Sequence, residues 1–75
     1  MTPRDVLNKI KWGGGDLKKA EIWYIHRGVP GNYKIVNGSE ILKIEKGFFI
    51  LENASIPYHR IIKIIYDGEV IFERR

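Results

Sequence analysis

The chain has no cysteine, no glutamine and only two histidines among its 75 residues. The missing thiols exclude disulfides, thiolate zinc sites and a cysteine nucleophile, so an apolar core must hold the fold unaided. Long hydrophobic runs are lacking too. None approaches the roughly 18–20 apolar residues of a membrane span, and the first residues lack a secretory signal pattern. The expectation is a soluble, cytoplasmic protein with no membrane role. Acidic residues are the minority, 9 against 13 lysines and arginines, and the resulting formal charge of +4 favours a polyanionic partner. One domain, 1–75, is expected: 44% of the residues are hydrophobic, enough for a core at a length near the lower limit for folding without staples. Heavy use of isoleucine, lysine and glutamate, with glutamine absent, leans towards a thermophilic source.

Taken in order, Thr2-Pro3-Arg4-Asp5 starts a helix, with a threonine able to cap, proline at the first helical position and an acid near the positive end. Val6, Leu7 and Ile10 share a face, Trp12 is expected to close that stripe, and Gly13-Gly14-Gly15 ends it. The period then changes to two. Ala20, Ile22, Tyr24 and His26 alternate with Glu21, Trp23, Ile25 and Arg27, and apolar residues in both sets predict a central strand covered on both faces. Gly28-Val29-Pro30-Gly31-Asn32 reads as a loop, Tyr33 to Val36 as a short strand, and Asn37-Gly38 as a hairpin turn into a strand over Ser39 to Glu45. Lys46-Gly47 turns the chain into Phe48 to Leu51, with both phenylalanines assigned to the core. Asn53-Ala54-Ser55 and Pro57 lead to a strand from His59 to Tyr66, and Asp67-Gly68 folds it back onto Glu69 to Arg74. Arg74 and Arg75 form a basic tip. The predicted fold class is α+β, an N-terminal helix packed on a curved antiparallel β-sheet of four to six strands.

Two dipeptides stand out from this frame. His26-Arg27 falls where the first strand ends, and His59-Arg60 follows Pro57-Tyr58. Each pair supplies an imidazole that can donate, accept or carry a proton near neutral pH, and a guanidinium whose planar donors match two phosphate oxygens. Meeting at one end of a sheet, they form a four-residue cationic cluster, beside which Tyr24, Tyr58 or Trp23 can stack a base. Arg4 and Lys63 are expected as secondary electrostatic contacts. A metal site is not expected, because His26 and His59 lie far apart in the chain and would need carboxylates such as Asp16 or Glu52. Ser39 and Ser55 lack the strand-turn-helix setting of a nucleophile. Two histidines facing one phosphodiester can act as general base and acid, but the two-histidine phosphoesterases that open cyclic phosphates carry a hydroxyl residue two positions after each histidine. Here those positions are Gly28 and Ile61. The bland alternative for each pair is a strand-ending histidine bonded to backbone beside a solvated arginine.

The stretches Pro3-Arg4-Asp5-Val6-Leu7-Asn8-Lys9-Ile10-Lys11-Trp12, His26-Arg27-Gly28, Ile56-Pro57-Tyr58-His59-Arg60-Ile61 and Asp67-Gly68-Glu69-Val70 occur in the order in which a small archaeal family carries them. The chain resembles that family over nearly its whole length. The family also occurs fused within larger eukaryotic proteins and accompanies RNA repair, ligation or phosphoesterase domains. The resemblance implies an RNA cyclic group end recognition domain, which binds RNA termini bearing a cyclic phosphate. Its motifs fall on Arg4, Asp5 and Trp12, on His26-Arg27-Gly28, and on Pro57, His59 and Arg60. Asp5 and Trp12 read as structural.

The expected function is therefore non-catalytic recognition of an RNA terminus by His26, Arg27, Gly28, Tyr58, His59 and Arg60, with no catalytic residue, metal or cofactor. RNA is the expected partner, with RNA-repair or RNA-processing proteins as companions. A protein-interaction adaptor for an RNA-processing enzyme is the alternative from another class, and a two-histidine cyclic phosphoesterase the third.

Overall fold

The computed structural model describes residues 2–28 and 30–74, so Val29 and Arg75, placed above in a loop and a basic tip, lie outside the described residues. Helix α1 spans Pro3–Trp12. The Thr2 hydroxyl accepts from the Asp5 N–H and the Asp5 carboxylate accepts from the Thr2 N–H, both at 3.2 Å. This capping box satisfies two donors that the first turn leaves orphaned. The same bonds hold the Asp5 carboxyl below the usual carboxylate range, the backbone bond contributing most. Val6, Leu7 and Ile10 bury the face that the spacing predicts, and Gly13 caps the C-terminus through its N–H to the Lys9 carbonyl. Trp12 does not close the stripe. It is 77% exposed, with the Lys11 ammonium 5.1 Å from its ring centre.

Among the described residues seven strands follow: β1 (Ala20–Ile25), β2 (Tyr33–Asn37), β3 (Lys43–Ile44), β4 (Phe48–Leu51), β5 (Ala54–Pro57), β6 (Ile61–Tyr66) and β7 (Glu69–Glu73). They build two antiparallel sheets, one with the order β2-β1-β6-β7 and one with the order β3-β4-β5. The fold is α+β with an N-terminal helix, but the one curved sheet expected from the strand pattern is replaced by these two. The physical cause lies in two short 3₁₀ turns. At Asn37 the chain does not make a hairpin. The Asn37 side chain accepts from the Ser39 N–H at 2.8 Å, while the Glu40 carboxylate accepts from the Asn37 N–H at 2.8 Å. This second capping box closes the turn Gly38–Glu40 and sends the chain out of the first sheet, leaving β3 only two residues long. Gly38 fits because a Cβ there would stand 2.3 Å from the Leu17 carbonyl oxygen. The second turn, Tyr58–Arg60, returns the chain to the first sheet, so the strand expected from His59 begins at Ile61.

The two sheets and the helix share one core. Leu7 from α1, Ile22 from β1, Phe49 from β4 and Ile61 and Ile64 from β6 are all fully buried. Burial of such side chains, about 1.5–3 kcal/mol each, is the main favourable term in a chain without covalent staples. Strand β1 is central as expected, but only Ala20, Ile22 and Tyr24 are buried; the opposite face, with Glu21 and Ile25, is open. In β4 likewise Phe49 is buried and Phe48 is 39% exposed, because this three-stranded sheet is packed on one side only. Asp67-Gly68 makes the expected β6–β7 turn, both residues at positive φ (51° and 84°), as a type I′ hairpin requires.

Candidate functional site

The antiparallel pairing of β1 with β6 decides where the two His-Arg pairs sit. Tyr24, near the end of β1, lies opposite Ile61, the first residue of β6. The residues just after β1 and just before β6 therefore emerge at the same edge of the first sheet. There Ile25, His26, Arg27, His59 and Arg60 line one cavity of about 400 Å³. Dipeptides far apart in the chain are thus brought together. The polar side chains of the lining are two imidazoles and two guanidiniums, and among the described residues no carboxylate joins them. Such a hollow suits an anion, since every side-chain donor can turn towards it and no fixed negative charge opposes it.

The pairs are supported differently. His26 is half-buried; its backbone N–H donates to the Asn32 carbonyl at 3.0 Å, closing the loop, and its ring meets Tyr24 edge-on at 6.3 Å. Gly28 turns the loop at φ +91°, a conformation costly for any side chain, and is not part of the lining. Its contribution is backbone shape. His59 and Arg60, both exposed, ride on the 3₁₀ turn whose first residue, Tyr58, is buried. The Tyr58 hydroxyl donates to the Glu45 carbonyl, and its backbone N–H reaches the Gly47 carbonyl at 3.4 Å. Burial pushes the Tyr58 hydroxyl above the ordinary phenol range, partly opposed by the charge of Arg4. Tyr24 packs edge-on against Phe49 at 6.4 Å, and Phe49 lies 6.1 Å from Tyr58. A buried aromatic seam thus runs from the support of one pair to the support of the other.

Several expected site residues are not at the cavity. Tyr58 is a core member, 8% exposed, so its ring offers no face to a base; Tyr24 is 2% exposed and is corrected for the same reason. Trp23 stacks on Tyr33 (5.2 Å between centres, 9° between planes), with the Lys63 ammonium 4.7 Å from its ring centre. These contacts on the open face of the first sheet already occupy the ring. Lys63 also lies 3.9 Å from Glu73, and neither it nor Arg4 lines the cavity. The Arg4 Nε is buried without a hydrogen-bond partner among the described residues. Among those residues, no three His, Cys, Asp or Glu side chains gather as a metal site would need. Arg74 was missed. Its guanidinium donates to the Tyr58 carbonyl at 3.5 Å, a long contact that brings a further cation to the turn carrying His59. A larger hollow adjoining the cavity was missed as well; His26 and Arg60 line both. Nothing local in the sequence marks either feature.

Comparison with known proteins agrees with the motifs. The family model described as the MJ1316 RNA cyclic group end recognition domain matches residues 1–74. The chain is similar to a UPF0248 protein of the archaeon Pyrobaculum aerophilum, 34% identical over 77 residues that cover 96% of this chain and 97% of that one. A UPF0248 protein of Methanopyrus kandleri is 42% identical over 59 residues, 79% of this chain and 80% of its own. One of Thermococcus kodakarensis is 37% identical over 76 residues, covering 96% and 90%. No solved structure matches the chain.

Proposed function

Because this chain belongs to the family of the RNA cyclic group end recognition domain, we propose that it binds RNA termini carrying a cyclic phosphate, as a module that does not turn its ligand over. The observation that carries the reading is the convergence of His26, Arg27, His59 and Arg60 on one cavity free of carboxylate side chains. In this reading Arg27 and Arg60 hold the phosphate oxygens through charge-assisted bonds, and His26 and His59 add hydrogen bonds. A cyclic phosphodiester carries one negative charge spread over two free oxygens, which suits a site with several converging donors. Arg74 and Arg4 add positive potential from the flank. Gly28 and Tyr58 act through the backbone they shape.

The test is the affinity of one short RNA prepared with three ends, a 2′,3′-cyclic phosphate, a linear 3′-phosphate and a 3′-hydroxyl, at two salt concentrations. A preference for the cyclic end, lost in Arg27→Ala and Arg60→Ala variants that remain folded, supports the reading. Equal and salt-sensitive binding of all three ends reduces it to general RNA binding through phosphate neutralisation. Conversion of the cyclic end during the incubation overturns the non-catalytic part. Absence of binding to every end transfers the assignment to a protein-interaction adaptor for an RNA-processing enzyme.

A further inference from the structure

The hollow that adjoins the cationic cavity has a volume of about 690 Å³ and runs between the two sheets. Residues of β2, an edge strand of the first sheet, form one side, and the β4–β5 hairpin, at the edge of the second, forms the other. The groove differs from the cavity in chemistry. Ile56 and Leu51 give it an apolar lining, while Glu40 and Glu52 bring carboxylates that the cavity lacks, beside Lys34, Asn53 and Ser55. His26 and Arg60 line both spaces and form the wall between them. We propose that the groove holds the base of the terminal nucleoside while the neighbouring cavity holds its phosphate, and that the groove favours a base bearing an exocyclic amino group over uracil.

This inference rests on the phosphate reading above and extends it to the identity of the last nucleotide. Three observations carry it. The first is continuity: a ligand whose phosphate sits against Arg60 has its sugar at the shared wall, with the groove directly beyond. The second is the placement of the carboxylates, which line the groove and not the cavity. Glu40 and Glu52 would repel a phosphate, but they are acceptors for base N–H groups. One Glu40 oxygen already accepts from the Asn37 N–H at 2.8 Å, which fixes that carboxylate at the groove and leaves its other oxygen available. Glu52 is exposed at the β4–β5 turn. Adenine, cytosine and guanine each offer an amino group to these two carboxylates, whereas uracil, with two carbonyls flanking a single N–H, has none. The third observation is that the three rings expected beside the His-Arg pairs are taken up elsewhere. The Trp23 ring on the open sheet face is already stacked on Tyr33 and met by Lys63, and Tyr24 and Tyr58 are buried. The groove volume falls within the range of about 300–1,000 Å³ common for small-molecule sites.

The experiment follows backbone amide shifts of the intact ¹⁵N-labelled protein with two kinds of probe: inorganic phosphate, and four short RNAs with a 2′,3′-cyclic phosphate that differ only in the last base. Phosphate should move residues 26–27 and 59–60 alone. RNA should also move Glu52, Asn53 and Ala54, with the uridine end weaker by roughly three- to tenfold, the size of one hydrogen bond. An Ala54→Trp variant, which fills the groove, should lower RNA affinity roughly tenfold on the same scale while leaving the phosphate response intact. Glu52→Gln, which supplies a donor for the uracil carbonyls, should narrow the discrimination against uridine. Silent groove amides with the cavity responding to both probes overturn this inference and leave the phosphate reading standing. Equal affinity for all four bases removes the selectivity. Groove amides that respond while Arg27→Ala and Arg60→Ala bind like the parent overturn the phosphate reading instead, and no response to any probe overturns both.

Discussion

The two His-Arg pairs share a composition and a cavity, yet they are built in opposite ways. His26-Arg27 hangs from a loop whose shape depends on a left-handed glycine and one backbone bond to Asn32. His59-Arg60 is carried by a single turn whose first residue is part of the core and is tied to the β3–β4 hairpin through the Glu45 and Gly47 carbonyls. Changes around the second pair should therefore register first in stability, and changes around the first pair first in binding.

The sharpest way to break this contrast is Tyr58→Ala. It removes a buried ring and the bond to Glu45, and unfolding by denaturant should show a loss of about 3–5 kcal/mol. A loss no larger than that of a loop substitution such as Asn32→Ala would erase the distinction. Next come the arginines. Arg27→Ala and Arg60→Ala should each weaken binding of the cyclic end by about 1.5–3 kcal/mol, as loss of a charge-assisted bond does. Both side chains are exposed, so denaturation midpoints should move by less than about 0.5 kcal/mol. Gly28→Val forces a β-branched residue to φ +91° and should cost about 1–3 kcal/mol or remodel the loop. Its binding loss should follow even though the glycine touches nothing in the cavity. Tyr58→Phe keeps the ring, and its cost of about 1 kcal/mol is that of one hydrogen bond.

The last variant also tests the electrostatics by its sign. The Tyr58 hydroxyl titrates above its ordinary value in the folded chain, so its contribution is complete below the unfolded pKa of 10.0 and is lost as pH rises through the higher folded value. Tyr58→Phe should therefore flatten the alkaline side of a Tm-against-pH curve. Asp5, lowered in the folded state, contributes above its unfolded pKa of 3.8, and the contribution disappears as pH falls through the lower folded value. Asp5→Asn should give the smallest effect, a lower Tm above pH 3.8 that disappears as the pH falls, so that the acid side of the same curve flattens.

Local chemistry was legible to the extent that it is local. The helix from Thr2 to Trp12, the Lys46-Gly47 and Asp67-Gly68 turns and the strand pattern around Ile22 follow from capping, turn residues and periodicity. The departures come from contacts beyond the local pattern. Trp12, Phe48 and the outer face of β1 were assigned cover that the tertiary structure does not supply, because periodicity reports which residues share a face and not what lies opposite. Asn37-Gly38 has the residues of a hairpin turn, but the capping partner, Glu40, and the close neighbour, Leu17, favour a 3₁₀ turn. Tyr58 reads as a ligand contact because it stands beside His59 and Arg60; only burial separates an anchor from a platform.

By itself the sequence determined the α+β class, the capped helix, the basic balance, the absence of thiol chemistry and the two His-Arg pairs as the residues to explain. These depend on covalent composition and on interactions a few residues long. The tertiary structure alone decided that there are two sheets, that the pairs share one cavity, and that a carboxylate-bearing groove adjoins it. Those outcomes rest on the pairing of β1 with β6 and on the turns at Asn37 and Tyr58. Pairing between strands far apart in the chain follows from packing of the whole core, which no short window of residues contains.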